Sequence, residues 1–166
     1  MGQVGVVIVL LIIVLLLGFM VLDMNRKLKK QYKYEINFLK ELKAVRVPLV
    51  KLKVGGLSAY FLLDTGSTIN IIRTKYLEKV GASVIKDKSS AVLTASGEMA
   101  QNESFQEEVF HNKKSFGFNE FSVSDLSLFD DEDINKGYEI AGLLGSKFFQ
   151  EHKWTVDFDK MVVWVN

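Results

Sequence analysis

Between Leu49 and Leu63 the chain alternates, turns and comes back. Val50, Leu52 and Val54 are separated by Lys51 and Lys53, Gly55-Gly56 follows, and the largely apolar segment Leu57 to Leu63 returns. A period of two puts one side of a strand against a core and the other in solvent. Two glycines between such runs supply the positive φ angles that a tight hairpin turn needs. Pro48, the only proline, marks the entry to this pattern. Downstream the same reading predicts a short strand at Asn70 to Arg73, then a short helix over TKYLEKVG with Thr74 as N-cap and Gly81 at its end. Strands are expected at Ser83 to Lys86, Ala91 to Ala95, Met99 to Phe110, Phe116 to Val123 and Tyr138 to Leu144. Ser146 is expected to cap a helix through Glu151, and Trp154 to Phe158 and Met161 to Val165 to close the chain as paired strands. Many short strands with one or two small helices describe a mostly β domain over residues 47–166.

The chain before Pro48 reads differently. Val4 to Leu22 is a run of 19 residues without a charge, which as a helix rises ~28 Å, about the thickness of a bilayer's hydrocarbon layer. A cleaved signal peptide is the alternative, but no Lys or Arg precedes the run and NRKLKK follows it. The expectation is an N-terminal transmembrane helix over residues 1–22. Residues 23–46 hold eight Lys and Arg against three acids, a net of +5, whereas residues 47–166 carry a net of −4. A basic block beside an apolar span predicts a single-pass membrane protein with the larger domain on the cytoplasmic side, and a lipid bilayer as partner. The mildly acidic domain argues against nucleic acid. Leu28, Tyr32, Ile36, Leu39 and Leu42 recur at steps of three and four, so residues 23–46 read as a basic amphipathic helix, either a stalk or a helix lying on the membrane.

Composition narrows the chemistry. The chain has no cysteine, which excludes disulfides, thiol catalysis and cysteine-based metal sites. His111 and His152 are the only histidines, too few for a zinc site at usable spacing and expected at the surface or an interface. No metal and no cofactor is expected.

One stretch remains, FLLDTGSTI at residues 61–69. Asp64, Thr65 and Gly66 all favour turns, so by itself the stretch could be a strand-ending turn. Its order, apolar-apolar-Asp-Thr-Gly-Ser, resembles the active-site loop of the retropepsin-like aspartic proteases. AVLTASGEMA at residues 91–100, with two apolar strand ends around Ser96-Gly97, resembles the flap hairpin of that family, although Gly97 could equally be an ordinary hairpin glycine. IAGLLGSKFF, with Leu143, Leu144 and Gly145 ahead of a helix, is similar to the family's second signature, which packs beneath the catalytic loop. The resemblance covers residues 47–166 in the expected order. It implies a single-lobe acid-protease fold, Asp64 as the catalytic residue, Thr65, Gly66 and Ser67 as loop support, and Ala95, Ser96 and Gly97 as the substrate-covering flap. In that family pattern Thr65 bonds across to a partner loop and Ser67 orients the outer oxygen of Asp64.

The chemistry needs these residue types. Hydrolysing an amide without a metal or a nucleophilic side chain takes a base to activate water and an acid to assist the carbonyl and the leaving nitrogen. Two carboxyls about 3 Å apart supply both, since they share one proton. The chain has one such loop and, at 166 residues, no room for a second lobe. A symmetric homodimer, each copy giving one Asp64, completes the pair. The function implied is a homodimeric aspartic endopeptidase acting on peptide or protein substrates. The alternatives are a catalytically silent dimerisation or peptide-binding module, and an enzyme that cleaves only its own residues 23–46. Two other patterns are weaker. VDFDKMV looks like the Asp-x-Asp of haloacid-dehalogenase phosphatases but too few residues follow it, and DEDINKG begins like a calcium loop but has Lys136 where the turn glycine belongs.

Overall fold

The computed structural model describes residues 3–31, 34–81, 85–93 and 99–165. In chain order the elements are α1 (Gln3–Gln31), β1 (Tyr34–Asn37), α2 (Leu39–Val45), β2 (Leu49–Val54), β3 (Leu57–Leu63), β4 (Ile71–Arg73) and α3 (Leu77–Val80). Then come β5 (Ile85–Leu93), β6 (Met99–His111), β7 (Lys114–Ser124), α4 (Glu132–Asn135), β8 (Ile140–Leu144), α5 (Ser146–Glu151), β9 (Trp154–Asp157) and β10 (Val162–Val165). The architecture is mostly β, as expected.

The β2–β3 hairpin forms where the alternation places it, with Val54 opposite Leu57. Val50, Leu52 and Val54 are buried and Lys51 and Lys53 exposed. Gly55 takes a φ of 53°, and a side chain there would also strike the carbonyl of Val80. These strands belong to a seven-stranded sheet ordered β2-β3-β8-β4-β7-β6-β5. A short β2–β6 pairing, Val54 opposite Val109, curls the sheet back on itself. Its inner face holds Phe61, Phe105 and Phe121, all essentially inaccessible to solvent, with Phe105 and Phe121 stacked at 5.7 Å between ring centres. Burial of each ring contributes ~2 kcal/mol. Phe148 of α5 extends the aromatic core through Trp154, edge-on at 5.0 Å.

The N-terminal region departs from the sequence reading in two ways. The basic amphipathic helix expected over residues 23–46 is interrupted: Tyr34–Asn37 is a strand, β1, paired antiparallel with β10 from Tyr34↔Val165 to Asn37↔Val162. Together with β9 it makes a three-stranded sheet, so the β domain begins well before residue 47. The second departure concerns the membrane. Among the described residues no helix is long and apolar enough to cross a bilayer. This overturns the expected transmembrane helix and the single-pass localisation with a cytoplasmic domain, and leaves the bilayer as a partner without support.

Smaller differences lie at the helix ends. Thr74 opens a 3-10 turn without a side-chain cap, and Gly145 rather than Ser146 is the N-cap of α5. Gly81 does close α3, at φ 75°. DEDINKG forms α4 and its exit, where Asn135 accepts the Gly137 amide at 2.7 Å. Asp157 caps the β9–β10 turn by accepting the amides of Asp159 and Lys160 at 3.0 and 2.9 Å. Both histidines are half-buried bridges rather than surface groups. His111 Nδ1 pairs with the Tyr34 hydroxyl at 2.6 Å, and His152 Nε2 with Asn119 Oδ1 at 2.7 Å.

Candidate active site

The site follows from where β8 lies. It runs parallel to β3, with Leu63 opposite Leu144, and antiparallel to β4, with Ile71 opposite Leu143. The strands before and after Asp64 thus flank β8 on its two sides, and residues 64–70 must arch over its C-terminal end. Close approach is built into the glycines. A Cβ at Gly142 would overlap the carbonyl of Ile71, and one at Gly145 the carbonyl of Ile69. Only a residue without a side chain fits in either place.

Three hydrogen bonds fasten the arch to the β8–α5 junction. The Asp64 amide donates to the Leu144 carbonyl at 3.0 Å, and the Ser146 amide donates to the Ser67 carbonyl at 2.7 Å. The Gly145 amide donates to Oδ1 of Asn70 at 3.1 Å. Leu143, Leu144 and Gly145 are all buried. The segments singled out as catalytic loop and packing motif are therefore in direct contact.

Within the arch Asp64 is half-buried, and Thr65 and Gly66 are exposed at its tip. Asp64 Oδ1 accepts the Gly66 amide at 2.9 Å, and Oδ2 has no partner among the described residues. A Cβ on Gly66 would sit 3.2 Å from that same Oδ1, so the glycine leaves room for the Asp64 carboxyl. Ser67 differs from the family-based expectation. Its hydroxyl donates to the Ile69 carbonyl at 2.9 Å and accepts the Ile69 amide at 3.3 Å, so it braces the loop instead of orienting Asp64.

Beyond the loop, β5 and β6 form an antiparallel hairpin whose last pair is Leu93↔Met99. Ala95, Ser96 and Gly97, named as the flap, lie outside the described residues.

Two functional neighbours escaped the sequence reading. Asn70 is buried with both ends of its amide bonded, Nδ2 donating to the Glu120 carbonyl at 3.0 Å. Arg73 is 1% exposed. It pairs with Asp130 at 2.6 Å and donates to the Ile140 carbonyl at 3.1 Å, fixing the segment that leads into β8. The signal for both was a polar residue inside the apolar run INIIR, since buried polar groups must find partners.

A family model described as aspartyl protease matches residues 50–148. No curated protein matches the chain. Among solved structures, a retropepsin-like aspartic protease from Rickettsia conorii aligns at 20% identity over 80% of this chain and 89% of its own, with a TM-score of 0.53. EIAV protease in complex with an inhibitor aligns at 14% identity, 63% and 86% coverage and TM-score 0.48. The retroviral protease-like domain of Ddi1 from Leishmania major aligns at 10%, 72% and 88%, and 0.48. The Rickettsia likeness shows a retropepsin-like fold, and the family match extends over more than half the sequence, including Asp64 and the Leu143–Gly145 motif: the chain belongs to the aspartyl protease family.

Proposed function

We propose that the protein is an aspartic endopeptidase whose active site forms when two copies of the chain bring their Asp64 carboxyls together. The observation that carries this reading is the state of Asp64: a half-buried carboxyl next to the exposed tip of a fastened arch, with one oxygen held by the Gly66 amide. A turn-forming aspartate has no need of so much bracing beneath it.

In the dimer the two carboxyls share one proton, because like charges about 3 Å apart cannot both persist. The ionised member takes a proton from the water between them, and that water's oxygen bonds to the peptide carbonyl carbon. The protonated member donates to the carbonyl oxygen. In the second half the proton taken from water passes to the leaving nitrogen, the other carboxyl takes back a proton from a hydroxyl of the tetrahedral diol, the C–N bond breaks to give acid and amine, and the pair again shares one proton. Thr65 and Gly66 are exposed, and in this reading the Thr65 hydroxyl bonds across to the facing loop while Gly66 permits that approach.

The test is a peptide-library digest by the full chain, wild type beside Asp64→Asn. Cleavage by the wild type, lost by about 10²-fold or more in the variant, is expected for removal of an acid/base group. Equal cleavage by both would sink the reading. Binding of peptides without cleavage would instead support the non-catalytic module.

A further inference from the structure

Asn70 is a buried polar side chain at the exit of the Asp64 arch, and both ends of its amide have work. Nδ2 donates to the Glu120 carbonyl of β7 at 3.0 Å and Oδ1 accepts the Gly145 amide at 3.1 Å. One partner is an acceptor and the other a donor, so a single orientation of the amide satisfies both. The residue's own carbonyl accepts the Ser122 amide at 2.9 Å. Asn70 thus joins the exit of the arch, β7 and the β8–α5 junction at one point. Its neighbours cannot relax toward it, because Gly145 already lies against the Ile69 carbonyl.

We propose that Asn70 is a positioning residue for catalysis, one that fixes the height of the Asp64 arch over Gly145 and thereby the spacing of the two carboxyls across the dimer. The inference rests on the aspartic-dyad reading. Carboxyls that must share a proton tolerate little displacement, and an error of about 1 Å in a reacting group can lower a rate 10²-fold.

Asn70→Asp offers a test that a merely structural role would not pass. Ionised, the new carboxyl keeps the Gly145 amide but turns an acceptor toward the Glu120 carbonyl. Protonated, its hydroxyl donates to that carbonyl and the wild-type pattern returns. Burial beside a carbonyl raises the pH at which this happens. The expected result, on full-length protein shown folded by circular dichroism at each pH, is a kcat about tenfold below wild type near neutrality. The ratio of variant to wild type should then climb toward one as the pH falls, with KM unchanged. Asn70→Leu should show the deficit without recovery on acidification. A wild-type kcat for Asn70→Asp at neutral pH, or a deficit that ignores pH, overturns the proposal, and Asn70→Asp carries the test if Asn70→Leu does not fold.

Hydrogen exchange at the Gly145 amide separates this inference from the one beneath it. Exchange should speed up in Asn70→Leu, which has no acceptor, and stay slow in Asn70→Asp, which keeps one. If the wild type cleaves nothing, the dyad reading falls by itself. Unchanged Gly145 exchange in Asn70→Leu would remove the brace regardless of activity.

Discussion

The amide of Asp64 donates to the carbonyl of Leu144 at 3.0 Å. Residues far apart in sequence are joined by one backbone bond, which a side-chain substitution at either position leaves in place. The Asp64 loop is therefore addressed best through the glycines that let the backbones meet.

Gly145→Ala should destabilise the domain by about 2 kcal/mol or more, since the added carbon overlaps the Ile69 carbonyl and backbone must move to admit it. Urea denaturation followed by tryptophan fluorescence reads this directly. Gly66→Ala should behave otherwise. Its added carbon meets only the tip of the Asp64 side chain, at 3.2 Å. The denaturation midpoint should change little while peptide cleavage is lost. Equal loss of stability in both variants would contradict the packing described.

Mixing experiments address the dimer. Inactive Asp64→Asn protein added in excess should quench wild-type cleavage as subunits exchange, and activity per molecule should fall on dilution. Activity that survives unchanged at a concentration where sedimentation shows monomer is incompatible with a shared dyad.

Arg73 gives a sign test. Its guanidinium is almost wholly buried and relies on Asp130, whose carboxyl is held below the usual range first by its hydrogen bond to Lys75 and then by that to Arg73. Asp130→Ala strands the buried charge and should lower the denaturation midpoint. Arg73→Met in the same background should recover part of the loss, because an apolar side chain needs no counter-charge. A simple sum of two losses would show that the pair is not coupled.

Both histidines should make stability fall on mild acidification. Burial pushes the pKa of His111 and of His152 below the ordinary histidine value. The folded state therefore favours the neutral rings, and the unfolded chain binds more protons below about pH 6.5. Their contribution is complete above that pH and is lost as the pH drops from there through the folded pKa values. His152→Gln, measured by thermal denaturation at several pH values, should flatten this slope. A slope as steep as that of the wild type would point to other groups.

What could be read from the sequence was what short-range chemistry decides. The β2–β3 hairpin announced itself by alternation and Gly55-Gly56, and the Asp64 arch by a turn-favouring order, Asp-Thr-Gly-Ser, set between apolar runs. Tyr34–Asn37 was hidden because its strand state comes from β10 at the other end of the chain, while its own neighbours are good helix formers. Ser67 was misjudged because its hydroxyl can reach its own backbone two residues on, which competes with any bond to Asp64. Asn70 and Arg73 were overlooked because a polar letter between isoleucines does not say whether it faces water or a waiting carbonyl.

The position of β8 between β3 and β4 has a consequence for timing. Parallel pairing of β3 with β8 waits for a segment made some eighty residues later, and long-range pairings of this kind are slow to form. Until β8 leaves the ribosome the arch has no floor, because Leu144, Gly145 and Ser146 supply the bonds beneath it. A nascent chain halted before β8 should leave the amides of Asp64 and Asn70 open to exchange, and should cut nothing. A chain organised in this way has no braced Asp64 loop until β8 has been made, so the order of synthesis itself delays the site's assembly.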